Sequence, residues 1–464
     1  MFIQNKKISE PAGEIDIFRE ADVVVVGGGP AGIGAAVAAA RAGADTILIE
    51  RYGHLGGMAT GGLVILIPHM SGDTGEQQIT GICQEWIDRL DFLGGAIHPD
   101  RSELGSSDKS KIERWRNYFS FVVNDRIRQS VFVDPELLKC VLNDMVEDAG
   151  VKLFLHAWGC RAITEDDTVR GVVFESKSGR LAILGKVIID ATGDGDIMAS
   201  SGAAYEGGYD SELRSAMLAV VFRLGNVDFT RFCTYRDKNP EQWKAITGRI
   251  HDLGGFHLMP FPSNRNDVMW VNNWVPGRSC LDIEDITWTE VNVRKVMRTM
   301  KDILQQEVAG FENCFILDTA SQLGTRGSRR VIGEYMVTLK DVSSGRSYDD
   351  TITYFPSLQL AERPLIHIPY RSLVPQRIDG LLVAGRCYSS DGPANNLTNL
   401  IPHCVAMGEA AGTAAAIAIE HSVDVRHVDH WTLRKRLREQ GVALPPEAGQ
   451  TNITTSRQAQ SAGD

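Results

Sequence analysis

Residues 21–50, ADVVVVGGGPAGIGAAVAAARAGADTILIE, constrain this chain more than any other stretch. The β-branched run at 22–26 predicts a buried parallel strand. Gly27, Gly29 and Gly32 follow in G-x-G-x-x-G spacing. Pro30 suits a first helical turn, where its missing N–H costs nothing. From Ala31 the chain is rich in alanine and glycine to residue 42, which predicts a helix slim enough to lie close on a sheet. Residues 46–49 predict the next strand, with Glu50 at its end. The glycines permit a tight turn and let the backbone approach a pyrophosphate, while the helix N-terminus offers free N–H groups and partial positive charge. Glu50 is spaced to accept from the ribose hydroxyls of an adenosine. An ordinary βαβ turn needs none of this set together. A dinucleotide is indicated, and FAD and NAD both satisfy the pattern.

The chain has 464 residues, enough for two or three domains. Its net charge is −11 and it has no long basic run, so neither nucleic acid nor an anionic membrane is an expected partner. No apolar stretch is long enough to predict a membrane helix, and residues 1–20 lack the apolar core of a signal peptide. The eight cysteines are scattered without a C-x-x-C, which predicts free thiols in a reducing cytosol and a cytoplasmic location.

After Glu50 comes RYGHLGGMATGGLV, residues 51–64, whose glycines predict a shaped loop running back along the cofactor. Residues 21–64 resemble the start of FAD-dependent oxidoreductases of the glutathione-reductase-like, two-dinucleotide-binding-fold flavoprotein class. They are most similar to the bacterial family described simply as FAD-dependent oxidoreductase. In that class the loop after the acidic residue follows the FAD pyrophosphate to the isoalloxazine ring. The resemblance therefore implies FAD. It assigns Gly27, Gly29, Pro30, Ala31, Gly32, Glu50, Arg51, Gly56, Gly57, Met58, Ala59 and Thr60 to cofactor binding.

Further along, Ile79, Ile82, Trp86 and Leu90 give residues 79–93 helical spacing inside an insertion spanning 71–130. Asp134 reads as an N-cap and Pro135 as the first turn of a helix reaching about Asp148, with Gly150 ending it and a strand at 152–155. Residues 161–174 and 180–189 read as two strands paired about a turn at Ser178-Gly179. A buried strand at 187–189 then delivers Asp190, Ala191, Thr192, Gly193 and Asp194. The resemblance implies that this Ala-Thr-Gly turn closes the FAD sheet beside the cofactor. Asp190, Asp194 and Asp196 are of a type that suits Ca²⁺ or Mg²⁺. The rest of a known Ca²⁺-loop pattern is missing, so they are expected as caps and turn formers and no metal is expected.

Residues 206–364 hold Phe229, Phe232, Tyr235, Trp243, Phe256, Phe261, Trp270, Trp274 and Trp288. Strands are expected at 217–224 and 267–275. A helix is expected at 287–308 that buries Val291, Val293, Val296, Met297, Met300 and Ile303. An antiparallel sheet with helices covering the flavin is the expected picture, with most of these aromatics in its core and two or three in a substrate pocket. In residues 323–335, Arg326, Arg329 and Arg330 form either a solvated basic turn or a guanidinium clamp for an anion. The resembled family has an Arg-rich segment leading into Gly-Glu-Tyr here.

A strand at 380–383 leads to Ala384, Gly385 and Arg386, and residues 402–417 read as a second small-residue helix. The resemblance implies that this strand returns to the FAD domain near the ribityl chain and that the helix points its N-terminus at the flavin pyrimidine edge. That placement is physically sound, because reduced flavin is anionic there. Asn399 stands where the family commonly has Arg, and His403 is untypical. His403, beside the helix start, is therefore the first acid/base candidate, against a plain loop hydrogen bond. His54, in the glycine loop, is the second, with packing on the flavin or a covalent bond to it as alternatives. Arg326 is a candidate electrostatic clamp.

No second G-x-G-x-x-G follows a strand, and no cysteine cluster suggests an iron–sulfur centre. The expected fold is α/β. A Rossmann-like FAD-binding domain, with a central parallel sheet and a three-stranded closing layer, is expected from 20–70, 131–205 and 365–425. An inserted α+β substrate or cap domain is expected over 206–364. Residues 426–464 are expected as a C-terminal helix and a disordered tail. The expected function is an FAD-dependent oxidoreductase, a dehydrogenase or oxidase. It would take hydride from a small polar substrate (an alcohol, a ring carbon or a sugar-like compound) onto flavin N5, then pass electrons to oxygen or an external acceptor. The alternatives are an NAD-binding dehydrogenase using only the first motif, or a subunit with a structural flavin. Partners beyond a small molecule and an acceptor are not expected, though a homo-oligomer is compatible.

Overall fold

Valines 23–26 are buried at the centre of a seven-stranded sheet, which is why four of them can stand in a row. The computed structural model describes residues 7, 8, 10, 13–207, 217–254, 256–263, 265, 267–357, 360 and 364–446. Strand β1 (Ile17–Val26) starts before the run at 22–26, because residues from Ile17 already pair with a later strand. It is followed by α1 (Pro30–Arg41) and β2 (Thr46–Glu50). The chain then leaves the sheet, forms α2 (Gly81–Phe92), and returns through α3 (Pro135–Asp148) and β3 (Lys152–Leu155). The Asp134 carboxylate accepts from the N–H groups of Glu136 and Leu137, a side-chain cap for α3.

Strands β4 (Trp158–Glu165), β5 (Thr168–Ser176) and β6 (Gly179–Asp190) form an antiparallel meander. The single strand expected over 161–174 is therefore two. Asp166 and Asp167 break it with φ of 46° and 62°, a left-handed pair that aspartate tolerates and that matches a tight hairpin turn. The sheet order is β3-β2-β1-β6-β5-β4. Its parallel part is β3, β2, β1 and β6 from Ala182 on.

Strand β6 joins the two layers. Its first half pairs with β5, and its last residues, from Ile188 to Asp190, pair in parallel with a late strand. The fold is thus a mixed α/β, Rossmann-like type with a three-stranded closing meander.

A second core lies over residues 217–320. Strands β7 (Phe222–Gly225), β8 (His257–Pro262) and β9 (Val268–Trp274) share this core with α4 (Ile283–Glu307), and β10 (Phe315–Thr319) completes a four-stranded antiparallel sheet in the order β8-β9-β7-β10. Helix α4 begins at an Asp282 cap and turns Thr289, Val293, Met300 and Leu304 inward. Val291, expected on that buried face, is exposed, because the helix starts earlier and its apolar stripe runs through Thr289 instead.

The late strand is β11 (Leu381–Val383), and it leads to α5 (Ile401–His421), buried from Ile401 to Ala418 and packed on α1. Among the described residues no single helix is long and apolar enough to cross a membrane. The tail expected to be disordered falls, from residue 447 on, outside the described residues.

Candidate active site

Two helix N-termini open on one cavity of about 610 Å³. Helix α1 starts after Gly29 and α5 after Leu400; neither cap residue makes a side-chain hydrogen bond, and each helix has a proline in its first turn. A helix start without a cap exposes N–H donors and partial positive charge.

The glycines of the first turn divide the work. Gly27 takes φ +99°, and a Cβ there would lie 2.6 Å from the Ala191 carbonyl oxygen. A Cβ on Gly32 would lie 1.7 Å from the Gly27 carbonyl oxygen, so Gly32 packs the helix onto the strand. A Cβ on Gly29 would meet only the Gly57 Cα, at 3.9 Å. The space over Gly29 belongs to the cavity and not to protein.

Of the residues assigned to cofactor binding from sequence, Gly27, Gly29, Pro30, Ala31, Glu50, Arg51, Gly57 and Met58 line this cavity. So do Ala191, Thr192, Gly193, Asp194, Gly385, Arg386 and Asn399. Gly32, Gly56, Ala59 and Thr60 are outside its lining and shape the turns behind it. The buried Glu50 carboxylate accepts from the Gly28 N–H at 2.6 Å and from the Tyr52 N–H at 2.8 Å. Burial raises its pKa, and those two N–H groups work against the shift. Arg51 lies over the rings of Tyr52 and Trp158 at the mouth, at 4.9 and 5.8 Å.

The acids after β6 are all engaged. Asp190 accepts from Thr192 and from the Met198 N–H. Asp194 accepts from Arg386 Nη2 at 2.9 Å and Ser328 Oγ at 2.6 Å. Burial pushes the Asp194 carboxyl up, but Arg386 and Ser328 outweigh it and hold it below the usual range. Asp196 pairs with Arg329 at 2.8 Å, yet burial and the neighbouring Asp194 and Asp190 push it up to about 6. Among the described residues no three His, Cys, Asp or Glu side chains converge as metal ligands.

The basic segment splits by role. Arg329 and Arg330 are tied down, the latter by Glu206 and the Ser390 carbonyl. Arg326 instead lines the cavity with Nε and Nη2 buried and without a hydrogen-bond partner. Asn399 donates from Nδ2 to the Arg326 carbonyl at 2.6 Å and leaves its Oδ1 buried and unmatched.

Beyond Arg326 the walls become aromatic: Tyr118, Phe119, Trp270 and Trp274. Trp270 is pinned by its Nε1–H, which donates to the Leu63 carbonyl at 2.6 Å, and by Phe132 and Phe261 beside its ring. Phe229, Phe232, Tyr235, Trp243 and Phe256 pack the second core, whereas Phe261 packs against the first core and Trp288 is exposed. Sequence reasoning missed His69, Ser120, Tyr118 and Phe119. The signal lies in the backbone: Leu63, His69 and Ser120 all take left-handed φ, at 51°, 64° and 69°, which residues with a Cβ rarely do.

His403 lies in the first turn of α5, beside the helix start as expected, but it does not meet the cavity. Its ring stacks on Phe355, with centroids 3.5 Å apart, and Nδ1 donates to the Thr398 carbonyl at 3.2 Å. It is 1% exposed, and burial, with His69 nearby, pulls its pKa down to about 3. The side chain sits behind the lining because the third position after Leu400 on α5 points into the core. His54 is also outside the lining. It stacks on Tyr52 at 5.5 Å and faces Ser321 Oγ, and burial, then Lys139, lowers its pKa.

A family model described as FAD dependent oxidoreductase matches residues 22–437. The chain belongs to this family. A digeranylgeranylglycerophospholipid reductase 1 of Methanopyrus kandleri is 28% identical over 177 residues, 38% of this chain and 40% of that relative's length. Among solved structures, the chain is similar to a geranylgeranyl bacteriochlorophyll reductase-like protein of Thermoplasma acidophilum, at 15% identity and TM-score 0.47, covering 91% of this chain and 84% of that one. It is also similar to a p-nitrophenol 4-monooxygenase of Pseudomonas putida, at 11% identity and TM-score 0.48, covering 92% and 87%. The cofactor of this oxidoreductase is FAD, and the residues present fit it: an open cradle over Gly29, two uncapped helix starts and an unmatched amide oxygen on Asn399.

Proposed function

We propose that this FAD-dependent oxidoreductase oxidises a small, ring-bearing organic substrate at a C–H bond. When bound, FAD supplies a two-electron acceptor for the hydride. The observation that carries the reading is the continuity of one cavity, from the Gly29 cradle past the α5 N-terminus into the chamber of Tyr118, Phe119, Trp270 and Trp274. In this reading the α1 N-terminus and the Gly29 backbone receive the pyrophosphate, and Glu50 accepts from the ribose at the opposite end from the aromatic chamber. The α5 N-terminus stabilises negative charge on the flavin pyrimidine edge. Placement within the glutathione-reductase-like class rests on the motif resemblance.

The aromatic walls hold a flat substrate and keep water out. His69 is the imidazole of the lining, and we assign it the acid/base role: it takes the hydroxyl proton while hydride leaves the adjacent carbon. Its left-handed backbone, with the N–H donating to Ser130 Oγ at 3.2 Å, fixes the ring's starting point. The partners are this small-molecule substrate and an electron acceptor, and the proposed location is cytoplasmic. A reductase is the second reading, supported by the activity for which the Methanopyrus kandleri relative is named. Anaerobic mixing separates the two. Oxidation predicts flavin bleaching by substrate; a reductase predicts bleaching by NADPH and none by ring alcohols.

A further inference from the structure

We infer that the substrate carries a carboxylate and that Arg326 grips it. The inference builds on the oxidation reading for the identity of the site, but it concerns binding alone.

Arg326 brings a guanidinium into the cavity wall from the turn after residues 324–325, and its main chain is fixed on both sides. Its N–H donates to the Met217 carbonyl at 3.3 Å, and its own carbonyl accepts from Asn399 Nδ2 at 2.6 Å. The guanidinium is held but not answered: Nε and Nη2 are buried, with no hydrogen-bond partner among the described residues. Removing a cation from water without a counter-charge is costly, and a hydrogen-bonded buried anion offsets that cost. The protein's own acids at this cavity are already engaged. Asp194 holds Arg386 and Ser328, Asp196 holds Arg329, and Glu50 accepts from Gly28 and Tyr52. The missing anion must come with a ligand.

Two anions compete for it, the substrate's and the cofactor's. The cofactor's charges have positive ends of their own: the α1 start for the pyrophosphate and the α5 start for the flavin edge. Arg326 has its main chain held beside the α5 start by Asn399, but it belongs to the segment joined to the second core through Met217, and the negative charge at the flavin edge already faces the α5 N-terminus. Nε and Nη2 occupy one edge of the guanidinium, and their parallel N–H groups match the two oxygens of a carboxylate. The neighbouring Trp270, Trp274, Tyr118 and Phe119 suit an apolar or aromatic body on that carboxylate.

The test is a spectral titration of the FAD-loaded protein with benzoate and with its neutral isostere benzamide, reading the shift of the flavin absorption band. Benzoate is expected to bind about tenfold or more tightly than benzamide, the ratio for one charge-assisted bidentate pair. Arg326→Gln is expected to abolish that preference with FAD content unchanged, and Arg326→Lys to retain part of it. Equal affinity for the two ligands in the wild type, absence of benzoate binding, or a preference that survives Arg326→Gln would overturn the inference. A fall in FAD affinity in Arg326→Gln with the benzoate preference intact would assign the guanidinium to the cofactor and overturn it as well. The oxidation reading fails separately: bleaching by neutral ring alcohols with no benzoate preference keeps oxidation and removes the clamp, and the reverse result does the opposite.

Discussion

A Cβ on Gly408 would lie 1.9 Å from the carbonyl oxygen of Ala31. Helices α1 and α5 therefore meet backbone to backbone, and Gly34 and Gly412 repeat the contact, at 2.4 Å from the Val405 oxygen and 2.1 Å from the Ala35 oxygen. This close packing aims both N-termini at one cavity. Gly408→Ala should force the helices apart and lower stability by about 1–3 kcal/mol, the usual cost of overpacking. It should also weaken FAD retention. Thermal unfolding of the FAD-free protein and FAD content after gel filtration measure the two effects; a normal value for both would contradict the packing described.

Gly29 and Gly32 should part company on mutation. Gly29→Val meets open space, so the FAD-free protein should melt near the wild-type temperature while FAD occupancy collapses. Gly32→Ala collides with the Gly27 carbonyl oxygen at 1.7 Å and should lower the melting temperature of the FAD-free protein itself. A Gly29→Val protein that purifies with full FAD would remove this turn from the cofactor site.

Glu409 is buried inside α5 and accepts from the Ile82 N–H at 3.0 Å, at the start of α2. Burial pushes its carboxyl up to about 8. In the pH range from about 4.3 to 8 the unfolded chain releases this proton while the folded chain keeps it. Stability should therefore fall as pH rises through that window, by about 1.4 kcal/mol per unit from this group. Glu409→Gln, which keeps an acceptor for Ile82 and cannot ionise, should flatten the dependence. Urea unfolding at the two ends of the window reads the difference; an unchanged slope in the variant would remove Glu409 as its source.

His69 and His403 are near neighbours with different prospects. His69→Asn should keep FAD and slow anaerobic flavin reduction by about 10²–10⁴, the usual loss for a positioned acid/base. His403→Leu, behind the lining, should leave the reduction rate near wild type and act on melting temperature through the lost Phe355 stack. Stopped-flow traces of both variants decide between them: a slow His403→Leu with a fast His69→Asn would reverse the assignment.

The cofactor end of the site is legible in sequence because its parts are local. Strand, Gly27, Gly29, Gly32 and Glu50 lie within one βαβ unit, and each residue type has one physical use there. The Asp134 cap and Pro135 are equally local, and the structure has that helix end for end. The substrate end is assembled from distant pieces. His69 and Tyr118 come from the 65–130 excursion, Trp270 from β9 and Arg326 from a turn after it, and nothing in the spacing of these residues brings them together. His403 shows the limit from the other side. Its position beside a helix start is readable, but whether the third residue of α5 faces the cavity or the core depends on how α5 is rotated against α1. That rotation is set by Gly34, on the motif's own helix, against Gly408 and Gly412, far along the chain from it.

The most direct measurement is anaerobic mixing of the FAD-loaded protein with mandelate, phenyllactate and benzyl alcohol, and separately with NADPH, while the flavin absorbance is followed. Oxidation in a carboxylate-reading aromatic chamber predicts bleaching by at least one of the two hydroxy acids, faster than by benzyl alcohol, and none by NADPH. Rapid bleaching by NADPH, with no response to any of the three substrates, would contradict it.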